Sequence, residues 1–157
     1  MGVRPMKFKI TERKIGWHKE FDSSHFLVLP YESKCLRIHG HTYKVDVEVW
    51  GKLNENGMIF DFNHLSNLIK LLDHKMLVSE DWVSVKGDGS VVVEKNGKHL
   101  EFPRDEVVIL NKPNVTAELI AEWFAERIAE KAGQNIKKIR VKIWEDPRSY
   151  AEITLER

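Results

Sequence analysis

The chain has 157 residues, enough for one domain that buries its own core without help from disulfides or a structural metal. With 25 Lys+Arg against 24 Asp+Glu the formal charge is +1, so no excess of either sign attracts nucleic acid or anionic membranes non-specifically. A single cysteine excludes an internal disulfide, and no apolar run approaches the roughly 20 residues that cross a bilayer, so a cytoplasmic protein is expected.

In chain order, residues 7–19 alternate apolar and charged side chains through Phe8, Ile10, Ile15 and Trp17, which predicts a half-buried strand. Residues 41–51 alternate strictly, with Tyr43, Val45, Val47 and Val49 on one face and Lys44, Asp46 and Glu48 on the other. A turn at Asn54-Glu55-Asn56-Gly57 separates this strand from a helix carrying Leu65, Leu68, Ile69 and Leu72, with Asp61 and Asn63 as capping candidates. The segment 79–110 contains VVVEKNGKHLEF, two short strands around Asn96-Gly97, and is read as a hairpin insertion within a single domain spanning residues 1–157. A second helix is expected over 116–131, with Thr116 as its N-cap and Leu119, Ile120, Trp123, Phe124 and Ile128 on one stripe. Alternation returns at 136–145 and 150–155. The order predicts an α+β fold, four antiparallel strands with two helices on one face, whose open edges call for an oligomer.

The chemistry gathers in CLRIHGH, residues 35–41. Positions i and i+2 share one side of a strand, so His39 and His41 can reach one ion, and Gly40 removes a side chain that would crowd the approach. His25, in FDSSH after the first strand, supplies a third imidazole once the two strands pair. Three imidazoles with an open fourth position describe a catalytic zinc site; alone, an H-x-H pair is two surface histidines. Cys35 has three readings: a small buried hydrophobe, a thiol activated beside a metal, or a fourth ligand that would make the site structural. Asp73-His74, at the end of the first helix, reads either as a proton relay or as a cation complementing the helix C-terminus. Glu145, at a strand end, is either a solvated terminus or a carboxylate that accepts two parallel N–H groups from a guanidine-like ring edge. His18, His64 and His99 have no motif partner, and Trp17, Trp50, Trp123 and Trp144 read as core or subunit contacts.

Taken together, FDSSH, C-x3-HGHTYKV, NGMIFDF, LDHKML, the T-A-E at 116–118 and the late Glu145 resemble the 6-pyruvoyl- and 6-carboxy-tetrahydropterin synthase family, in family order from Phe21 to Glu145. The resemblance implies a tunnelling fold (T-fold) whose sheet joins those of neighbours into a trimeric barrel, two of which stack as a homo-hexamer. It implies Zn2+ on His25, His39 and His41, Cys35 as catalytic thiol and Asp73 with His74 as relay pair. Glu145 would anchor the pterin, with Thr116 and Glu118 lining the pocket across a subunit interface. The implied substrate is 7,8-dihydroneopterin triphosphate, a small molecule, with no nucleic acid or membrane partner. Its triphosphate needs cations, for which Lys34, Arg37, Lys44 and Lys75 are candidates.

The family's branches differ in product. The three-residue gap between Cys35 and His39 resembles the carboxy branch, which serves queuosine or archaeosine synthesis. The alternatives are a 6-pyruvoyl synthase that eliminates triphosphate, a folate-type enzyme that cleaves the side chain to 6-hydroxymethyl-dihydropterin, and a non-catalytic pterin-binding protein. Glu32 resembles an acidic residue of the folate-type branch, whereas retention of Cys35 argues against that branch. The insertion at 79–110 is longer than the usual family connection and reads as a surface elaboration or a lid.

Overall fold

The computed structural model describes residues 2–157. Its main sheet has six strands in the order β7 (Val107–Leu110), β3 (Lys75–Ser79), β1 (Lys14–His25), β2 (His39–Gly51), β8 (Ile136–Asp146), β9 (Ser149–Glu156). The central ladder pairs β1 (Lys14–His25) with β2 (His39–Gly51), β2 with β8 (Ile136–Asp146) and β8 with β9 (Ser149–Glu156), all antiparallel. These are the four strands expected from alternation. The inward set of β2, Tyr43, Val45, Val47 and Val49, is fully or almost fully buried, and Tyr43 stacks on Phe21 of β1 with ring centroids 5.0 Å apart.

Two helices cover the inner face. In α1 (Phe62–Leu72) the Asp61 carboxylate caps the first turn by accepting from the Asn63 N–H, and Leu65, Ile69 and Leu72 face the core. In α2 (Ala117–Lys131) Thr116 caps through its hydroxyl, and Ile120, Trp123, Phe124 and Ile128 are buried against β8 and β9. Lys112 is buried between the helix and the preceding loop, its ammonium donating to Glu122 and Glu126 at 2.7 and 2.8 Å. Those two acceptors are four apart on one helix face, the spacing that lets both meet one cation. None of the described helices is long and apolar enough to cross a membrane.

Three expectations need correction. The first strand begins at Lys14 rather than at residue 7, and Phe8 and Ile10 stay 82% and 58% exposed. The reason is the partner's length: Lys14 pairs with Trp50, and β2 ends one residue later, leaving residues 7–13 without a ladder. The antiparallel sheet is extended beyond β1 by two short parallel strands, β3 (Lys75–Ser79) and β7 (Val107–Leu110). The segment 79–110 holds more than a hairpin: β4 (Val83–Val85), β5 (Val91–Lys95) and β6 (Lys98–Phe102) form a separate three-stranded sheet before the chain returns as β7. Within it the Asn96-Gly97 turn is present, both residues having positive φ (51° and 76°), as a two-residue hairpin requires.

Candidate functional site

The site lies where β1 ends and β2 begins. His25 pairs with His39 and Ser23 with His41 across the ladder, so period two puts all three imidazoles on the inner face, at the end nearest α2. One ring nitrogen from each falls within 4.8 Å of the others, and His25 is fully buried.

Hydrogen bonds fix which nitrogens are free. The Nδ1–H of His25 donates to the Val115 carbonyl at 2.8 Å, and the Nδ1–H of His39 donates to the Arg37 carbonyl at 2.6 Å. A carbonyl only accepts, so each Nε2 carries a lone pair in the neutral ring, yet these two nitrogens face each other at 3.1 Å. The Nε2 of His41 is buried with no hydrogen-bond partner. With the Nε2 of His41 close to these two lone pairs, the three imidazoles form a group that could hold a cation. A proton is a poor candidate, because burial holds the His25 pKa down to about 4 and also lowers that of His41. The donor set, three imidazoles with two held by backbone carbonyls, fits a divalent metal.

Around this cluster the predicted residues divide. Glu145 is brought in: one carboxylate oxygen lies 3.6 Å from His25 Nε2 and 3.5 Å from His41 Nε2, and burial, with Glu118 and Asp146 nearby, raises its pKa. Glu118 is exposed in the first turn of α2, and the Thr116 hydroxyl accepts from the Leu119 N–H as N-cap. Cys35 sits half-buried in a 3-10 turn (Lys34–Leu36), its N–H donating to Ser33 Oγ and its carbonyl accepting from Leu27 N–H. The thiol is not among the converging ligand atoms, so its reading as a fourth ligand is not realised within this chain. Glu32 is exposed in the same loop.

Asp73 and His74 form a second cluster with Asp22, on the other side of the ladder. Asp22 pairs with Thr42, and its carboxylate accepts from the Thr42 hydroxyl at 2.6 Å; both residues alternate outward, opposite to the histidines. The α1–β3 turn is clamped to β1 twice. The Asp22 N–H donates to Asp73 Oδ1 at 2.9 Å and the His74 N–H donates to the Asp22 carbonyl at 2.6 Å. The first of these bonds, helped by His74 Nδ1 at 3.0 Å, lowers the Asp73 pKa. His74 adopts φ 60°, a left-handed conformation uncommon for a residue with a side chain. Its ring, 76% exposed, is presented to solvent rather than laid along the helix end.

Cavities flank the start of β2 on both sides. One, of about 580 Å3, is lined by Asp22, Thr42, His74, Lys75 and, from the insertion, Phe102 and Glu106. The other, of about 550 Å3, is lined by Lys44, Trp144 and Glu145; Gly40, His41 and Thr42 belong to both. Of the candidate cations, Lys75 and Lys44 therefore sit one in each cavity, whereas Lys34 and Arg37 are exposed in the loop before β2. A Cβ at Gly40 would meet only the Ser23 carbonyl, at 3.6 Å, so within this chain glycine there is not needed to clear space for the histidines. Asp22, which holds Asp73, and Tyr43, whose ring meets that of His25 edge-on, were missed by sequence reasoning; their neighbours in FDSSH and HGHTY were the available signal.

Residues 14–156 match the sequence profile of 6-pyruvoyl tetrahydropterin synthase. The chain belongs to this family. A Pyrococcus horikoshii protein provisionally named 6-carboxy-5,6,7,8-tetrahydropterin synthase is 70% identical over 145 residues, 92% of each chain. The Haemophilus influenzae protein named 6-carboxy-5,6,7,8-tetrahydropterin synthase is 29% identical, with 88% of this chain and 96% of that one aligned. Among solved structures, 6-pyruvoyl tetrahydropterin synthase of Plasmodium falciparum superposes with a TM-score of 0.74 at 18% identity, covering 93% of this chain and 99% of that one. That likeness shows the T-fold. In this 6-pyruvoyl tetrahydropterin synthase family member, the T-fold ladder is what carries the three histidines.

Proposed function

We propose that the protein is a zinc-dependent lyase that converts 7,8-dihydroneopterin triphosphate to 6-carboxy-tetrahydropterin, the step that feeds queuosine or archaeosine synthesis. The observation that carries the reading is the convergence of the three imidazole nitrogens, two of them pinned from behind by backbone carbonyls. The choice of branch rests on the relative at 70% identity and on the three-residue gap between Cys35 and His39.

His25, His39 and His41 would hold the metal, which when bound supplies Lewis acidity toward the oxygens of the substrate's side chain. Glu145 accepts from the pterin's 2-amino and ring N–H groups in the cavity that also contains Lys44. Asp73 holds His74 through Nδ1, leaving Nε2 to carry a proton to or from the side chain, and Cys35 serves as the catalytic thiol. The relay pair and the histidines lie on opposite sides of one ladder. The reading therefore has the relay of one copy serving the histidines of another, within a hexamer, with Thr116 and Glu118 at that junction.

The test is mass spectrometry of the products formed from 7,8-dihydroneopterin triphosphate by zinc-loaded protein, beside Cys35→Ala. The expected result is 6-carboxy-tetrahydropterin with acetaldehyde and released inorganic triphosphate, water being consumed, and their formation falls at least a hundredfold in the variant. A 6-pyruvoyl or 6-hydroxymethyl product would reassign the branch, and turnover unaffected by Cys35→Ala would remove the thiol from the mechanism.

A further inference from the structure

At the far end of the sheet from the histidines, β1 and β8 begin and β2 and β9 end. Over the 12 residues of β1 this is a separation of about 35–40 Å. A groove of about 620 Å3 opens there, between residues 10–13, the end of β2, the loop before β8 and the end of β9. Five cations line it: Arg13, Lys52, Lys137, Lys138 and Arg157. Glu12 and Glu156 line it too, yet among the described residues none of the five cations has a carboxylate oxygen within 4.0 Å. In a chain of formal charge +1, this is a local excess of positive charge that its own acidic neighbours leave unneutralised.

The walls are held in place before any ligand arrives. The Lys52 N–H donates to the Asn135 carbonyl at 2.9 Å, the Asn135 side chain returns a bond to the Lys52 carbonyl at 2.8 Å, and the Arg157 N–H donates to the Lys137 carbonyl at 3.1 Å. Gly51 lies so close beneath Asn135 that a Cβ would come within 2.4 Å of its carbonyl oxygen. Trp50 is already occupied: the ammonium groups of Lys14 and Lys138 lie 5.3 and 4.7 Å from its ring centroid. The indole therefore positions Lys138 and is not offered to a flat ligand. A fixed groove, rich in ammonium and guanidinium donors and without a free aromatic face, suits a compact polyanion.

We propose that this groove is a binding site for a small polyphosphate, separate from the histidine site and independent of the activity assigned there. The test is calorimetric titration of the zinc-loaded protein with inorganic tripolyphosphate at 0.05 and about 0.15 M salt, the range over which surface electrostatics are progressively screened. Lys52→Gln with Lys137→Gln removes two exposed ammonium groups that make no hydrogen bond, so the fold is retained, as an unchanged thermal midpoint will show. The expected result is a salt-sensitive binding event that this double variant weakens at least tenfold and that Lys44→Gln with Lys75→Gln leaves unchanged. Four outcomes overturn the proposal: affinity unchanged in the Lys52/Lys137 variant; loss confined to the Lys44/Lys75 variant; tight binding of a short RNA that tripolyphosphate does not displace; or a change in the mass of the assembly by light scattering in the Lys52/Lys137 variant, which would make the groove a contact between copies.

Discussion

His74 shows how one residue can be set against the stability of its own fold. Its φ of 60° belongs to a region that costs a residue with a Cβ about 1 kcal/mol or more, and glycine far less. The turn is nonetheless locked, because the His74 N–H and the Asp73 carboxylate both bond the backbone of Asp22. Replacing His74 by glycine is expected to raise the unfolding free energy by about 1 kcal/mol in urea titration, since the mostly exposed ring contributes little packing. The same variant is expected to lose turnover at least a hundredfold; retained turnover would make the imidazole a bystander. At this scale the sequence was most readable where chemistry depends on local spacing. His39 and His41 share a face because strands have period two, and Asp73-His74 are adjacent. What could not be read is contact across distance: that Glu145 comes to 3.5 Å of His41, or that Asp22 holds Asp73, depends on pairings with residues about 50 to 100 positions away. Cys35 illustrates the same limit, since its four-residue offset from His39 left open a ligand role that the 3-10 turn does not permit within one chain.

Among the elements, α2 links stability to the site. Its cap, Thr116, directly follows Val115, whose carbonyl holds His25 in the tautomer that leaves Nε2 free. Thr116→Ala should cost about 1 kcal/mol, the usual value of a lost N-cap, measurable in urea with metal-free protein. It should also weaken zinc binding by more than a surface control such as Lys131→Ala does, because the first turn of the helix no longer fixes Val115. Equal zinc affinity in both variants would show that the carbonyl is held by other means. The elements with strict alternation or a capped apolar stripe were all legible: β2, β8, β9, α1 and α2. The short parallel strands β3 and β7 were not, since the MLV within KMLVS and the whole of VVIL are short unbroken apolar runs with no period to read. Residues 7–13 failed in the opposite way, having the period of a strand but no partner strand to join.

For the molecule as a whole, the strand order leaves β9 bonded on one side only, and β1 pairs with β3 over just two residues, so most of that edge of β1 is open. Such edges invite pairing with further copies, and closing them into a ring removes them. Light scattering at micromolar concentration is expected to give a multiple of the 18.4 kDa chain mass, a hexamer in the arrangement proposed above, and a monomer would refute the shared site. The central pairing of the sheet also has a price in time. β2 takes its second neighbour from β8, with Val47 opposite Val141, about 90 residues later in the chain. At a synthesis rate of about 5–20 residues per second, β2 leaves the ribosome some 5–20 s before the strand that completes its ladder. During that interval the edge of β2 that β8 will take stays unpaired, although α1 and α2 both emerge before β8 does. Until β8 arrives the newborn chain must therefore be sheltered from its own kind, which in the assembly proposed above the finished protein joins.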